Sequence, residues 1–330
     1  MRTQQIRDIL YLDCQVRSDP ETSPLKSMEW IADKIVELAA DKANTTYWSR
    51  DRRKKIYIRS HQVVGRVLWL LLYSNDADAP DASFAHLETD DQRDEAKAEG
   101  EGRPESAHIA ISLDEVPKRR FRYLMMLEEA PTLPRARVER YFNHLLRQIK
   151  RVHPDDFSHP HPSGAVKDGQ PVMQKYKNRV ELLGHLSNKF RDDIEAGALR
   201  GIALETSSTE RIGFGEGRRV YPVKKSIVLS ARTTWSDAPL RTIGEAITLG
   251  KRNDLEVARI SFSSADNTNH TALIDTDSGN VLNDGYIKKS RVSGIGVMLP
   301  EASVVISDRL QARMLRLLDD EMEALKGPQR

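Results

Sequence analysis

Residues 67–73, VLWLLLY, constrain the fold more than any other stretch of the chain. Seven apolar residues without polar alternation would make an extended segment apolar on both faces, as a central strand must be. The run is far shorter than the roughly 18 residues a membrane helix needs, and no other run in the chain approaches that length. A strand of this kind requires partners, and the neighbouring sequence supplies them. KKIYIRS (54–60) and residues 63–74 read as two successive strands. IRDILYLDCQV (6–16), AHIAISL (107–113) and FRYLMMLEE (121–129) have strand patterning as well.

Helical periodicity stands out in two places in this half. Residues 23–43 align Trp30, Ile31, Ile35, Leu38 and Ala39 on one face. Residues 134–151 open with Pro134 at a first helical turn and align Val138, Tyr141, Phe142, Leu145, Leu146 and Ile149. The second half alternates strands (180–187, 199–207, 219–232, 255–264, 270–276, 285–292) with helices at 188–197, closed by Gly197, and at 237–252. A last helix, 307–325, takes Ser307 as its N-cap. This order predicts an α+β protein of mixed sheets and packed helices, with ferredoxin-like split β-α-β units in the second half. The Pro-, His- and Gly-rich stretch 153–171 is the expected linker between an N-terminal α+β domain (1–152) and a C-terminal one (172–330). The first residues carry no apolar signal segment, and Cys14 stands alone within a strand-like run. Both point to a reducing cytoplasm, with Cys14 as a small core residue.

Charge is sorted along the chain. Residues 76–106 hold eleven Asp or Glu against three Lys or Arg, a local balance of −8 in a chain of formal net charge +2. With little apolar content beyond Phe84 and Leu87, the segment reads as a long solvated, mobile loop. The remaining +10 gathers in RDRRKK (50–55), KRRFR (118–122), RQIKR (147–151), GRR with KK (217–225) and IKKSR (287–291). Such sorting suits a surface that meets a polyanion, because Lys and Arg gain affinity by neutralising phosphates and releasing counterions. The residues expected to contact nucleic acid are Arg52, Arg53, Lys54, Lys55, Lys118, Arg119, Arg120, Arg218, Arg219, Lys224, Lys225, Lys288, Lys289 and Arg291. Tyr57, Phe121 and Tyr123 lie among these cations. They are candidates for base stacking on the one hand and for core packing on the other.

No catalytic signature accompanies the charge. His153, Asp155, Asp156, His159 and His161 are candidate metal ligands, but Pro154, Pro160 and Pro162 interrupt them and favour a polar linker. IGFGEGRR (212–219) lacks the Lys and spacing of a P-loop and reads as a flexible basic hairpin loop. Glu128 and Glu129 end an apolar strand and are expected to be solvated. The chain is therefore read as a binder rather than an enzyme, with no catalytic residue and no cofactor. The alternatives are a metal-dependent nuclease built on His153, Asp155, His159 and His161, and a structural subunit of a larger protein or ribonucleoprotein assembly.

Two tracts have a familiar layout. FRYLMMLEEAPTLPRARVERYFNHLLRQ is a strand ending in acidic residues, a short linker and a helix with aromatic and leucine anchors. LEVARISFSSADNTNHTALIDTDSGNVLNDGYIKKSRV is a hairpin-like stretch before a basic strand. Together they resemble the Rex A-like phage-exclusion family and related DNA-associated subunits of bacterial anti-phage systems. The likeness is one of pattern, has no diagnostic motif and transfers no catalytic residue. It implies a cytoplasmic, dimerising, sequence-independent binder of DNA rather than RNA, serving as sensor or scaffold in phage defence. A separate effector or membrane partner would act beside it, without membrane insertion of this chain. The acidic insert at 76–106 lies outside that pattern.

Overall fold

The computed structural model describes residues 5–196, 198–206, 226–229, 238–263, 268–277 and 279–326. Its elements run in the order β1 (Arg7–Asp19), α1 (Met28–Ala39), α2 (Lys42–Thr45), β2 (Tyr47–Trp48), β3 (Lys54–Val64), β4 (Val67–Asp76), β5 (Ala82–Ala85), β6 (Gln92–Glu95), β7 (Arg103–Glu115), β8 (Arg122–Glu128) and α3 (Arg135–Val152). Short strands β9 (Ser158–Pro160), β10 (Val166–Lys167), β11 (Gln170–Pro171) and β12 (Met173–Lys175) precede β13 (Lys177–Gly184). Then come α4 (Asn188–Ala196), β14 (Ala198–Glu205), β15 (Ser226–Leu229), α5 (Pro239–Arg252), β16 (Val257–Ser263), β17 (Asn269–Asp275), β18 (Lys289–Val292) and α6 (Asp308–Lys326). The α+β class expected from the sequence is what the chain adopts.

The chain forms two compact units, Met1–Leu182 with Ser290–Arg330 and Leu183–Lys289. The division differs from the expected one at 153–171. That stretch belongs to the first unit, where Phe157 is buried between the rings of Trp30 and Tyr176 and β9 pairs with β12. The second unit is an insertion. The chain re-enters the first unit at β18 and α6, a return that sequence order cannot reveal.

The first unit is built on one large sheet of order β13-β1-β8-β7-β4-β3-β2, with β18 also on β1. Residues 67–73 lie in β4, flanked by β3 and β7, and Leu68–Leu72 are all buried, as a central strand requires. Strands β3 and β4 join through Gly65, whose φ of +58° suits a two-residue hairpin turn, so Val63 and Val64 end β3 instead of opening the strand expected over 63–74. One face of the sheet (Ile9, Tyr11, Trp69, Leu71, Leu124, Met126) packs against Leu310, Met314 and Leu318 of α6. Helix α1 starts at Ser27, whose hydroxyl accepts from the Trp30 N–H at 3.2 Å. Replacing Ser27 by alanine should cost about 1 kcal/mol in chemical denaturation, the usual value for a lost N-cap.

Helix α3 buries the six residues its periodicity singled out. It also touches both sides of the sheet. The Tyr141 hydroxyl donates to Thr45 O at 2.8 Å and the His144 ring lies 5.0 Å from that of Tyr47 on β2, while Asn143 and Glu139 bond the backbone of β13 at Val180 and Leu182. In a flat sheet six strand spacings of about 4.8 Å would separate β2 from β13, about 29 Å, while a helix is only about 10–12 Å across. The sheet must therefore curl around α3.

Glu128, expected to be solvated, is 0% exposed. Its carboxylate meets Arg7 Nε at 2.6 Å and His108 Nδ1 at 2.7 Å. His108 Nε2 accepts the Ser307 N–H at 3.1 Å, so the imidazole donates from Nδ1 to Glu128. Arg7 further donates to Leu299 O and Pro300 O at 3.0 and 3.2 Å. A buried charged network thus holds the segment that leads into α6.

In the second unit the sheet order is β15-β14-β16-β17, with every neighbouring pair antiparallel. Strands β15 and β16 are consequently parallel to each other, with β14 between them and α5 along the chain connecting them. That is one split β-α-β unit. Its core includes Phe190, Phe262 and Tyr286, with ring centroids 5.4–5.7 Å apart.

Candidate nucleic-acid interface

Sheet register places the predicted basic clusters far apart. Lys54 pairs across the ladder with Asp76, and Asp76 with Arg103, so Arg52–Lys55 sit at the end of the sheet where β7 begins. Lys118–Arg120 form the turn after Glu115, where β7 ends. Thirteen strand residues at about 3.3 Å each separate the two ends, about 40 Å. Arg291 lies on β18, at the opposite side of the sheet order from β3. Lys288 and Lys289 fall in the second unit. Arg218, Arg219, Lys224 and Lys225, with the glycine-rich loop around them, lie outside the described residues, as does the expected cap Gly197.

Many of these cations are already engaged. Arg53 pairs with Asp78, and Lys54 with Asp76 at 3.0 Å and Asp78 at 3.5 Å. The Arg53 guanidinium holds the Asp78 carboxyl below its ordinary range. Arg119 reaches the buried Asp13 at 3.5 Å, and Arg291 meets Asp8 at 2.9 Å. Arg122, the last cation of KRRFR, is buried against Asp13 and Gln15. The side chains of Arg52 and Lys118 have no partner among the described residues.

The acidic segment is ordered by its own pairing rather than left as a loop. Asp76 and residues 103–106 extend β4 and β7, and β5 pairs with β6 in an exposed hairpin. Its root supplies the carboxylates that occupy Arg53 and Lys54. The interleaved aromatics are not available for stacking on bases. Tyr57 is buried against the Tyr73 ring, with Lys42 over its face at 3.8 Å, and Tyr123 is buried in β8. Phe121 is half-buried beneath Arg120.

Helix α3 carries a further row of cations. Six Lys or Arg oppose one Glu along it. Arg140, His144, Arg147 and Arg151 follow at steps of four, three and four residues, so they share one face. Arg147 and Arg151 are exposed and without a carboxylate partner among the described residues; Arg140 bonds only the Ala136 carbonyl of its own helix. Burial, together with the Arg147 and Arg151 charges, holds His144 below the ordinary imidazole value. Its ring lies 5.0 Å from Tyr47 of β2. The next residue, Trp48, is 43% exposed, with Lys55 over its ring at 5.2 Å. This basic and aromatic corner joins α3 to the Arg52–Lys55 turn. RQIKR was visible as a charge cluster. What would have raised it above the others is its place on the polar face of a strongly amphipathic helix with almost no acidic residues.

The candidate metal ligands are held separately. His153 Nε2 faces Glu37 at 3.1 Å, and His159 bonds Ser23 Oγ at 3.2 Å. His161 bonds Ser163 Oγ at 2.7 Å, and Asp156 faces Lys26 at 3.8 Å. Asp155 joins none of them. Among the described residues no group of three or more His, Cys, Asp or Glu is placed to hold a metal ion. Cys14 is buried, and burial pushes its thiol well above the usual range, as befits a core residue. No helix among the described residues is long and apolar enough to cross a membrane. Compared with known proteins, the chain matches no family model, no curated protein and no solved structure.

Proposed function

We propose that the first unit is a sequence-independent nucleic-acid binder that grips the phosphate backbone through α3 and the adjoining β2–β3 corner. The observation that carries this reading is the exposed stripe Arg140, Arg147 and Arg151 on a helix with six cations and one carboxylate. Arg140 to Arg151 covers eleven residues at 1.5 Å each, about 16 Å along the helix, long enough to follow several phosphates of one strand. Exposed Trp48 beside Lys55 offers a stacking surface for an unpaired base. Nothing in this arrangement presents a recognition helix or loop shaped to read base edges, so affinity would come from counterion release. Together with a sequence layout that resembles that of Rex A-like phage-exclusion proteins, this supports a cytoplasmic DNA-binding sensor or scaffold in phage defence. A nuclease is not favoured, because its candidate ligands are held apart.

The test is binding to unrelated duplex and single-stranded DNA and to RNA across a salt series. Log affinity should fall linearly with log salt, with a slope near −0.9 per duplex phosphate neutralised and similar values for unrelated sequences. A salt-independent affinity, or no binding at low salt, would remove the reading. A second expectation concerns the root of the acidic hairpin. Asp76→Asn with Asp78→Asn releases Arg53 and Lys54 and should tighten binding by no more than a few-fold, since exposed ion pairs contribute about 0.2–1 kcal/mol. The gain should shrink as salt rises.

A further inference from the structure

The sheet of the first unit protects its backbone edges unevenly. On the outer edge of β13, Asn143 accepts from the Val180 N–H at 2.9 Å and donates to its carbonyl at 2.8 Å. Glu139 accepts from the Leu182 N–H at 2.9 Å. On the outer edge of β3, β2 pairs with Lys55 and Ile56. A bulge follows between Ile58 and Ser60. From there to Val64, no backbone group of β3 is bonded outside its ladder to β4 among the described residues.

The direction of the free groups follows from the turn. A two-residue hairpin closes on the hydrogen-bonded pair Val64 and Val67, so the Val64 N–H and C=O point towards β4. Alternation then sends those of Val63 and His61 outwards. Open edges are usually blunted by Lys, Pro, an inward charge or a covering element. Residues 60–64, SHQVV, contain no Asp, Glu, Lys, Arg or Pro. Val63 and Val64 are 45% and 49% exposed at this edge.

We propose that residues 60–64 of β3 pair antiparallel with the same residues of a second copy of this chain, joining two first-unit sheets across a twofold axis. A strand laid against its own reversed copy is self-complementary, because each outward N–H meets an outward C=O. The absence of charged residues in the stretch means that self-pairing sets no like charges opposite one another, the penalty that normally forbids it. The pairing covers Val63 and Val64 in both copies. Only a few hydrogen bonds are formed, so the dimer is reversible and depends on concentration. This inference stands apart from the nucleic-acid reading, since it uses different residues and its readout needs no ligand.

Sedimentation of the full chain over a concentration series, without nucleic acid, should show monomer converting to dimer. Hydrogen exchange at the His61 and Val63 amides should slow as the dimer forms. Val63→Pro removes an outward N–H while leaving the ladder to β4 intact, and should shift the chain to monomer. Val63→Lys with Val64→Lys changes only exposed side chains, places like charges across the axis and should do the same. This second variant decides the matter if the proline variant fails to fold. A wild-type chain that stays monomeric throughout, or a dimer that persists in the lysine variant, would overturn the proposal.

Discussion

Replacing Glu128 by alanine is expected to destabilise the protein by about 3–5 kcal/mol, the cost of stripping one partner from a buried ion pair. Arg7 is also almost fully buried, and its Nε meets the Glu128 carboxylate at 2.6 Å. The guanidinium also donates to the Ile6, Leu299 and Pro300 carbonyls, neutral acceptors that do not replace the carboxylate's charge. His108 loses the acceptor for its Nδ1–H as well, and with it the orientation that lets Nε2 receive the Ser307 N–H. The damage should spread to the start of α6, whose amides should exchange faster than those of α3. Chemical denaturation should show a lower midpoint with an unchanged slope. Glu128→Gln keeps the shape and one acceptor and should fall between the two. A Glu128→Ala protein within 1 kcal/mol of wild type would mean that Arg7 does not depend on this pair.

The second large effect concerns α3. Arg147→Glu with Arg151→Glu should weaken nucleic-acid binding by about tenfold or more per cation. Hydrogen bonds to charged groups contribute about 1.5–3 kcal/mol each, and 1.4 kcal/mol is tenfold in affinity. The salt slope should drop by about 1 per cation, equally for unrelated sequences. Thermal stability should stay close to wild type, because both side chains are exposed and neither is ion-paired among the described residues. The matched control is Arg119→Glu with Arg291→Glu, which reverses cations already paired with Asp13 and Asp8. It should leave affinity nearly unchanged. Equal losses in both variants would mean that the whole positive field, not α3, does the binding.

The local elements were legible because their signals are local. Six apolar residues at helical spacing between Val138 and Ile149 can share a face only if the backbone is helical, and all six are buried. Residues 67–73 can be satisfied only between two other strands, and β4 runs between β3 and β7. The buried face of α1 is offset from the one its periodicity predicts. Met28 and Ala32 are buried there, while Trp30 lies half-exposed against Phe157. The acidic stretch looked like a loop because its composition is polar. The ladder from Asp76 to Arg103 continues the β4–β7 pairing into it, and β5 and β6 then pair with each other; backbone hydrogen bonds do not need apolar side chains.

By itself, then, the sequence determined the α+β class, most of the strands and helices, the buried face of α3 and the separation of acidic from basic charge. Each depends on residues within one or two turns of chain. The tertiary structure alone decided which charges face solvent and which face each other. Antiparallel register put RDRRKK and KRRFR at opposite ends of one sheet, and brought Asp76 and Asp78 onto Arg53 and Lys54. It also carried Glu128 to a buried guanidinium 121 positions away, at Arg7. A charge has no preferred partner in sequence. Its effect depends on distance and on the exclusion of water, and both are set only when strands far apart in the chain come into register.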